Sequence, residues 1–207
     1  VGAANGVATG RLAHVNGVAD VVNDGLANSR KAIILVNEAG STWYVYHPEL
    51  TAGKLLYFTT SAETTDATIS SVTSSGFTVA ASLPTGTYRW ISMAESEGFL
   101  KLTKTVGNGA ADGFSDYAAL QPAALFQKPI NGVGNWSLFD NARDKQNIAS
   151  GWLIPNTTSG ESTLAAFDLN SNGVKCRYAG GSDINTAATI YAQILIAAFP
   201  FRYANAR

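Results

Sequence analysis

Short segments rich in β-branched and aromatic residues alternate with turn residues along the chain. Segments of about four to eight such residues are typical of β-strands that have one buried face. Ser75-Gly76 and Asn172-Gly173 mark hairpin turns, because Gly and Asn adopt a left-handed backbone at little cost. A weak helical signal is confined to residues 19–27. The pattern predicts strands at 43–46, 54–60, 76–81, 88–94, 136–139, 151–155, 174–178 and 190–197.

Five sequence landmarks recur in the same order in residues 12–99 and 102–201. The paired segments are 14–20 with 106–112, 32–36 with 124–128, 40–46 with 134–139, 74–79 with 171–176 and 87–94 with 190–197. The interval of about ninety residues is too long for a solenoid repeat and fits a small β-domain.

The recurrence predicts an all-β chain of two tandem β-sandwich or jelly-roll-like units related by internal duplication. The first unit spans 12–100 and the second spans 101–207, with the boundary near 98–101. Residues 1–11 are rich in Gly and Ala and show no period, so we expect an extended N-terminal arm that a neighbour orders.

Composition excludes several classes of partner. Charged residues make up 14% of the chain, against roughly 25% in an average domain, and the net charge is -1. No basic run is longer than Arg30-Lys31, so we expect no nucleic-acid partner. The uncharged run at 184–201 contains Asn185, Thr186 and Gln193 and predicts strands, so we expect no membrane span. The start of the chain has neither the basic nor the apolar region of a signal peptide.

The polar motifs favour structural roles. Asp168-Leu169-Asn170-Ser171-Asn172-Gly173 resembles the first half of a calcium loop, but Ala179 stands where the closing Glu belongs, so a β-turn is favoured. Asp140 and Arg143 are expected to pair across a turn. Cys176 is the one cysteine, which excludes an internal disulfide and favours a small buried thiol.

No second carboxylate or histidine stands at a spacing that suggests acid–base catalysis. We therefore expect no catalytic residue, no metal, no cofactor and no enzymatic activity. A glycan-degrading enzyme is the least favoured alternative, because the sequence offers no matched pair of acids.

The four tryptophans divide into two pairs. Trp43 and Trp136 stand at equivalent positions of the two repeats, which favours a core role for both. Trp90 and Trp152 have no tryptophan at the equivalent position, so they are the candidates for a surface ligand contact, such as stacking on a sugar ring.

Residues 102–201 contain a longer set of motifs. The set comprises Gly107-Asn108-Gly109-Ala110-Ala111-Asp112-Gly113, Pro122-Ala123, Lys128, Asn135-Trp136, Asp140-Asn141-Ala142-Arg143, Asp168 to Lys175, Ile190-Tyr191 and Phe199-Pro200-Phe201. These motifs resemble an uncharacterised repeat domain of tail-fibre and other virion structural proteins of tailed bacteriophages. The first copy fits more loosely, with Pro48-Glu49-Leu50 where the family has Asp-x-x-Arg, and Ala198 replaces a Glu.

The resemblance implies a phage particle and brings no catalytic residue with it. We expect a non-enzymatic structural protein of the virion surface: a capsid decoration, a head fibre or a tail-fibre module. The expected partners are other virion proteins and further copies of the chain, with a trimer favoured. The alternative is a carbohydrate-binding adhesin at a tail or head-fibre tip, which would bind a glycan of the host cell surface.

Overall fold

The computed structural model describes residues 6–40, 42–144 and 147–198. Seventeen β-strands and no helix lie within these residues. The first half contains β1 (Val7–His14), β2 (Asp20–Asn23), β3 (Lys31–Asn37), β4 (Trp43–Tyr46), β5 (Lys54–Tyr57), β6 (Thr64–Thr65), β7 (Ile69–Thr73), β8 (Gly76–Val79) and β9 (Gly86–Ala94). The second half contains β10 (Leu100–Val106), β11 (Ser115–Tyr117), β12 (Pro122–Pro129), β13 (Ser137–Asp140), β14 (Ala149–Leu153), β15 (Ser162–Asn170), β16 (Gly173–Cys176) and β17 (Ile190–Ala197).

Both halves are antiparallel and follow one strand order. The first half has a six-stranded sheet, β1-β9-β3-β4-β5-β6, and a three-stranded sheet, β2-β8-β7. The second half has one eight-stranded sheet, β10-β17-β12-β13-β14-β15-β16-β11, which is nearly closed on itself. The long strand β15 takes the place that β6 and β7 share in the first half.

The residue pairings between neighbouring strands also agree in the two halves. Leu35 pairs with Tyr44 on one side and Trp90 on the other, and Gln127 pairs with Ser137 and Gln193. Leu35 and Gln127 therefore occupy the same ladder position, and other positions can be counted from them.

A separate hydrophobic core fills each half. The first core includes Ile33, Leu35, Phe77, Tyr88 and Trp90. The second core includes Leu125, Phe139, Phe167, Val174 and Leu195. Along each strand these residues alternate with side chains that point to the outer face of the sheet, as the two-residue period of a strand requires.

The outer faces of the two main sheets pack against each other. One cluster joins Val45 and Leu56 of the first half to Ile130, Trp136 and Ala192 of the second. A further cluster joins Ala32 of the first half to Leu100, Leu102 and Ile194. The two halves are thus held together by apolar clusters, and burial of apolar surface is the main stabilising contribution in domain association.

Hydrogen bonds cross the same interface. The Trp136 indole donates to the Tyr57 carbonyl at 3.0 Å, and the Glu63 amide donates to the Ile130 carbonyl at 2.8 Å. His47 is buried, with Nε2 3.1 Å from the Gln193 carbonyl oxygen. Its Nδ1 accepts from the Glu49 amide, so the neutral ring with hydrogen on Nε2 satisfies both contacts.

The structure corrects two of the local predictions. Val7–His14 is strand β1, paired with β9 along its whole length, so residues 7–11 of the expected N-terminal arm are part of a sheet. The weak helical signal at 19–27 is wrong, because Asp20–Asn23 forms strand β2 against β8. Residues 1–5 and the Phe199-Pro200-Phe201 motif lie outside the described residues.

The remaining strand predictions are confirmed within a few residues, and those for Trp43–Tyr46 and Ile190–Ala197 in full. Across the described ranges there is no helix with the length and apolar character needed to span a bilayer.

Candidate functional site

Trp90 is a core residue, so the prediction of a surface ligand contact is wrong for it. The side chain is 8% exposed and packs edge-on against Phe77. It also lies over Gly10, where an added Cβ would come within 2.4 Å of the indole ring. Trp90 has no tryptophan counterpart because the matching position, Gln193, belongs to a hydrogen-bonded core instead: Gln193 donates to Gln127 at 2.6 Å.

Trp152 is half-buried on the edge of the second core. Its ring lies parallel to that of Phe139, with 6.4 Å between the centroids. The indole nitrogen is buried and finds no hydrogen-bond acceptor in the described part of the chain. Most of the ring is therefore engaged by the protein, which leaves little aromatic surface for a ligand.

Trp43 and Trp136 share a ladder position but have opposite surroundings. Trp136 is 3% exposed at the interface between the halves, which confirms its predicted core role. Trp43 is 37% exposed, so its predicted core role is wrong. The indole of Trp43 stacks on Phe58 at 4.8 Å, and Phe58 stacks in turn on Trp136 at 5.4 Å. Trp43 is thus the outermost ring of an aromatic stack that begins in the interface.

Charged side chains continue the row in which Trp43 lies. Trp43 pairs with Val36, Val36 pairs with Arg89, and Arg89 pairs with Arg11 across β4, β3, β9 and β1. Glu38 accepts hydrogen bonds from Arg11 at 2.7 Å and forms an ion pair with Arg89 at 2.8 Å. The hydrogen bond from Arg11 lowers the pKa of Glu38, so this carboxylate stays ionised between two guanidinium groups.

The acidic motifs noted in the sequence serve the backbone and neighbouring cations. Ser171-Asn172 form the two-residue turn between β15 and β16, and Asp168 accepts from the Arg177 guanidinium at 2.6 Å. Asp140 accepts from the amides of Ala142 and Arg143 and pairs with the Arg143 side chain. No group of three acidic, histidine or cysteine side chains suited to a metal occurs within the described residues.

The thiol and the two imidazoles are buried. Burial raises the pKa of Cys176, which packs in the second core near the Tyr178 carbonyl. A raised pKa keeps the sulfur protonated and unreactive as a nucleophile. His14 lies between the Asp20 carboxylate at 2.6 Å and the Leu83 carbonyl at 2.8 Å, and His47 is enclosed in the interface.

Sequence reasoning did not find the buried ion pair of the first half. The ammonium of Lys31 lies 2.8 Å from Asp24 with both side chains fully buried, and Ser92 donates to the same carboxylate at 2.6 Å. The available signal was the alternation of β3, in which Lys31 falls on the same face as Ile33 and Leu35.

Among the clefts on the surface of the described residues, two are bordered by acidic side chains. One, of about 230 Å³, is bordered by Asn141, Asp144 and Asn147. The other, of about 210 Å³, lies beside Glu95 and Lys101 near the junction of the halves. Lys101 donates to Glu95 at 2.7 Å, so these two charges are paired with each other.

Comparison with known proteins gives one family. A protein-family model described as a domain of unknown function (DUF7483) matches residues 13–200. Neither the curated proteins nor the solved structures give a match to the chain.

Proposed function

The chain belongs to the DUF7483 family, and from its own residues we propose that it is a non-enzymatic structural component of a tailed-phage virion. It acts as a capsid decoration, a head fibre or a tail-fibre module on the particle surface. The observation that carries the proposal is the build of the molecule: two β-units of one strand order locked face to face by an apolar interface. Rigid modules of this kind suit a protein whose task is assembly.

We further infer that the two units arose by internal duplication. The matching glycines support this. A Cβ on Gly76 would lie 1.8 Å from the Val22 carbonyl, and one on Gly173 would lie 1.9 Å from the Asp116 carbonyl. Gly76 is the first residue of β8, which pairs with the edge strand β2. Gly173 is the first residue of β16, which pairs with the edge strand β11. Independent folds have no reason to share such a detail together with the strand order.

The chemistry of the candidate residues supports a structural role. The carboxylates of Asp140 and Asp168 accept hydrogen bonds from turn amides and arginine side chains, and burial keeps the Cys176 thiol protonated. The resemblance of residues 102–201 to the repeat domain of phage virion proteins supports the location. No cofactor is part of the proposal.

Self-association, with a trimer favoured, belongs to the same proposal. Support comes from apolar side chains that the described chain leaves in solvent near β2. Val15, Val18 and Val21 are 61%, 57% and 79% exposed. Exposed apolar side chains that cluster in this way mark interaction surfaces in soluble proteins.

The test is cryo-electron microscopy of intact particles of the phage that encodes the chain. We expect density for paired β-units on the capsid lattice or along a fibre, in symmetric groups. Purified particles that lack the protein by mass spectrometry would overturn the proposed function. Sedimentation of the free protein as a monomer at all concentrations would overturn the self-association.

A further inference from the structure

We propose that the row containing Arg11, Arg89, Val36 and Trp43 binds a polysaccharide that carries carboxylate groups, with one sugar ring on the open face of Trp43. The site is separate from the assembly contacts of the proposed function. It therefore stands or falls independently of where the protein sits on the particle.

The surface above Val36, between Trp43 and Arg89, is here called the trough of the row. Neighbouring strands lie about 4.8 Å apart, so Arg89 and Trp43, two strands apart, are separated by about 10 Å at the backbone. Val36 lies half-buried between them and forms a low floor. A pyranose ring is a few ångströms thick and fits between an aromatic wall and a guanidinium wall at this spacing.

The aromatic wall is fixed before any ligand arrives. The indole of Trp43 is held from one side by Phe58 at an interplanar angle of 29°. Phe58 is itself fixed by Trp136 and Phe126 in the interface. A ring that is already ordered loses little side-chain entropy on binding, and an indole face suits the axial C–H groups of a sugar.

The charges in the row select an acidic ligand. Two guanidinium groups share the one carboxylate of Glu38, which leaves a net positive charge beside the trough. Arg89 contacts Glu38 through Nε and its side chain remains 72% exposed, so its terminal amino groups are available. A guanidinium binds a carboxylate through parallel hydrogen bonds, which gives both strength and orientation.

The second half shows what the same row looks like when protein covers it. The positions matching Arg89, Glu38 and Trp43 are Ala192, Ile130 and Trp136, and these three pack into the interface. The first half keeps the tryptophan but has charged residues at the other two positions. Arg11 and Arg89 have side chains that are 63% and 72% exposed and share one carboxylate, so an acidic ligand is favoured over the same positively charged row of a second copy.

The experiment titrates the full chain with trigalacturonate and with its fully methyl-esterified form by isothermal calorimetry. The two probes have nearly the same shape and differ in charge. We expect trigalacturonate to bind, the ester to bind about tenfold more weakly, and the difference to shrink at high salt. We expect Trp43→Ala to weaken binding by about tenfold or more. Arg89→Ala, which installs the residue of the matching position, should remove most of the preference for the acid.

Tyr117→Ala and Arg177→Ala are the matched controls, because they remove an aromatic ring and a guanidinium elsewhere on the surface. Both are expected to bind trigalacturonate within twofold of the parent chain. Thermal melting establishes that each variant is folded. The proposal is overturned if the parent chain binds neither probe, or if Trp43→Ala and Arg89→Ala bind as the parent does. It is also overturned if Trp43→Ala abolishes a self-association seen by sedimentation, because a second copy would then occupy the row.

Discussion

The two halves of the molecule share a strand order, but at matching buried positions one has polar or charged side chains where the other has apolar ones. At three matching positions the first half buries Asp24, Lys31 and Ser92, joined by bonds of 2.6 to 2.9 Å. The second half has Ala118, Pro122 and Leu195 there, all buried and apolar.

The relation is reversed two residues away along β9, where Trp90 pairs with Leu35. Leu35 and Trp90 pack in the first core, where Gln127 and Gln193 form a hydrogen-bonded pair in the second. The alternation of apolar and polar residues and the turn residues therefore determine the strand order. The same strand order is compatible with either polar or apolar side chains at these buried positions. At both sets of positions the buried polar side chains are paired with each other: Asp24 with Lys31 and Ser92, and Gln193 with Gln127.

The largest loss of stability is expected when only one member of the buried ion pair between Asp24 and Lys31 is removed. Asp24→Ala leaves the buried Lys31 ammonium and the Ser92 hydroxyl without their acceptor. Removing one member of a buried ion pair costs about 3–5 kcal/mol, because an uncompensated charge remains. The free energy of unfolding from urea denaturation should fall by that amount.

The control replaces all three polar side chains by apolar ones, with the residues of the second half at positions 24 and 92 and methionine instead of proline at position 31. The triple variant Asp24→Ala, Lys31→Met, Ser92→Leu removes the charge together with its partners and should recover most of the lost stability. A single variant that stays within about 1 kcal/mol of the parent would contradict the account of this pair.

The second largest effect is a difference in stability loss between alanine substitutions of Trp136 and Trp43. Trp136→Ala removes a fully enclosed ring from the interface and should cost about 3–4 kcal/mol. Trp43→Ala removes a half-exposed ring and should cost about 1 kcal/mol, mainly the lost stacking on Phe58. Equal losses in urea denaturation would mean that the two rows are covered alike.

The matching glycines should respond alike. An alanine Cβ at Gly76 or Gly173 would meet a backbone carbonyl of the edge strand beside it. Each substitution should cost about 1–3 kcal/mol, because β2 or β11 must move away. Gly132→Ala and Gly160→Ala, where an added Cβ has no atom within 4 Å, are the controls. A loss in only one half would count against a common origin.

The free energy of unfolding is expected to depend on pH through His47, which is buried in the interface between the halves. Burial lowers the pKa of His47 to about 4, below the value of about 6.5 in an unfolded chain. Between these values the unfolded state binds the proton and the folded state does not, so stability falls as pH decreases. From pH 7 to pH 5 the loss should be about 2 kcal/mol.

The His47→Gln variant should lose this part of the pH dependence. A slope that is unchanged in the variant would assign the effect to another group.

The all-β character and most strands could be predicted from the sequence because period-two patterning and turn glycines act locally. The sequence also predicted equivalent positions for Trp43 and Trp136 in the two repeats. It could not predict which row of each sheet would be covered, because that depends on how two finished units pack. Trp90 was misjudged for the same reason: its place in the core depends on Gly10 in a strand distant along the chain. The pairing of Lys31 with Asp24 likewise needed β2 and β3 brought together.

The central claim is that the row containing Trp136 is covered by the other half of the molecule, while the matching row containing Trp43 is open to solvent. Hydroxyl-radical footprinting with peptide mass spectrometry tests this directly on the native chain. The account predicts that Trp43 is oxidised about tenfold faster than Trp136, in keeping with exposed fractions of 37% and 3%. Equal rates at the two tryptophans, or a protected Trp43 in the free protein, would contradict it.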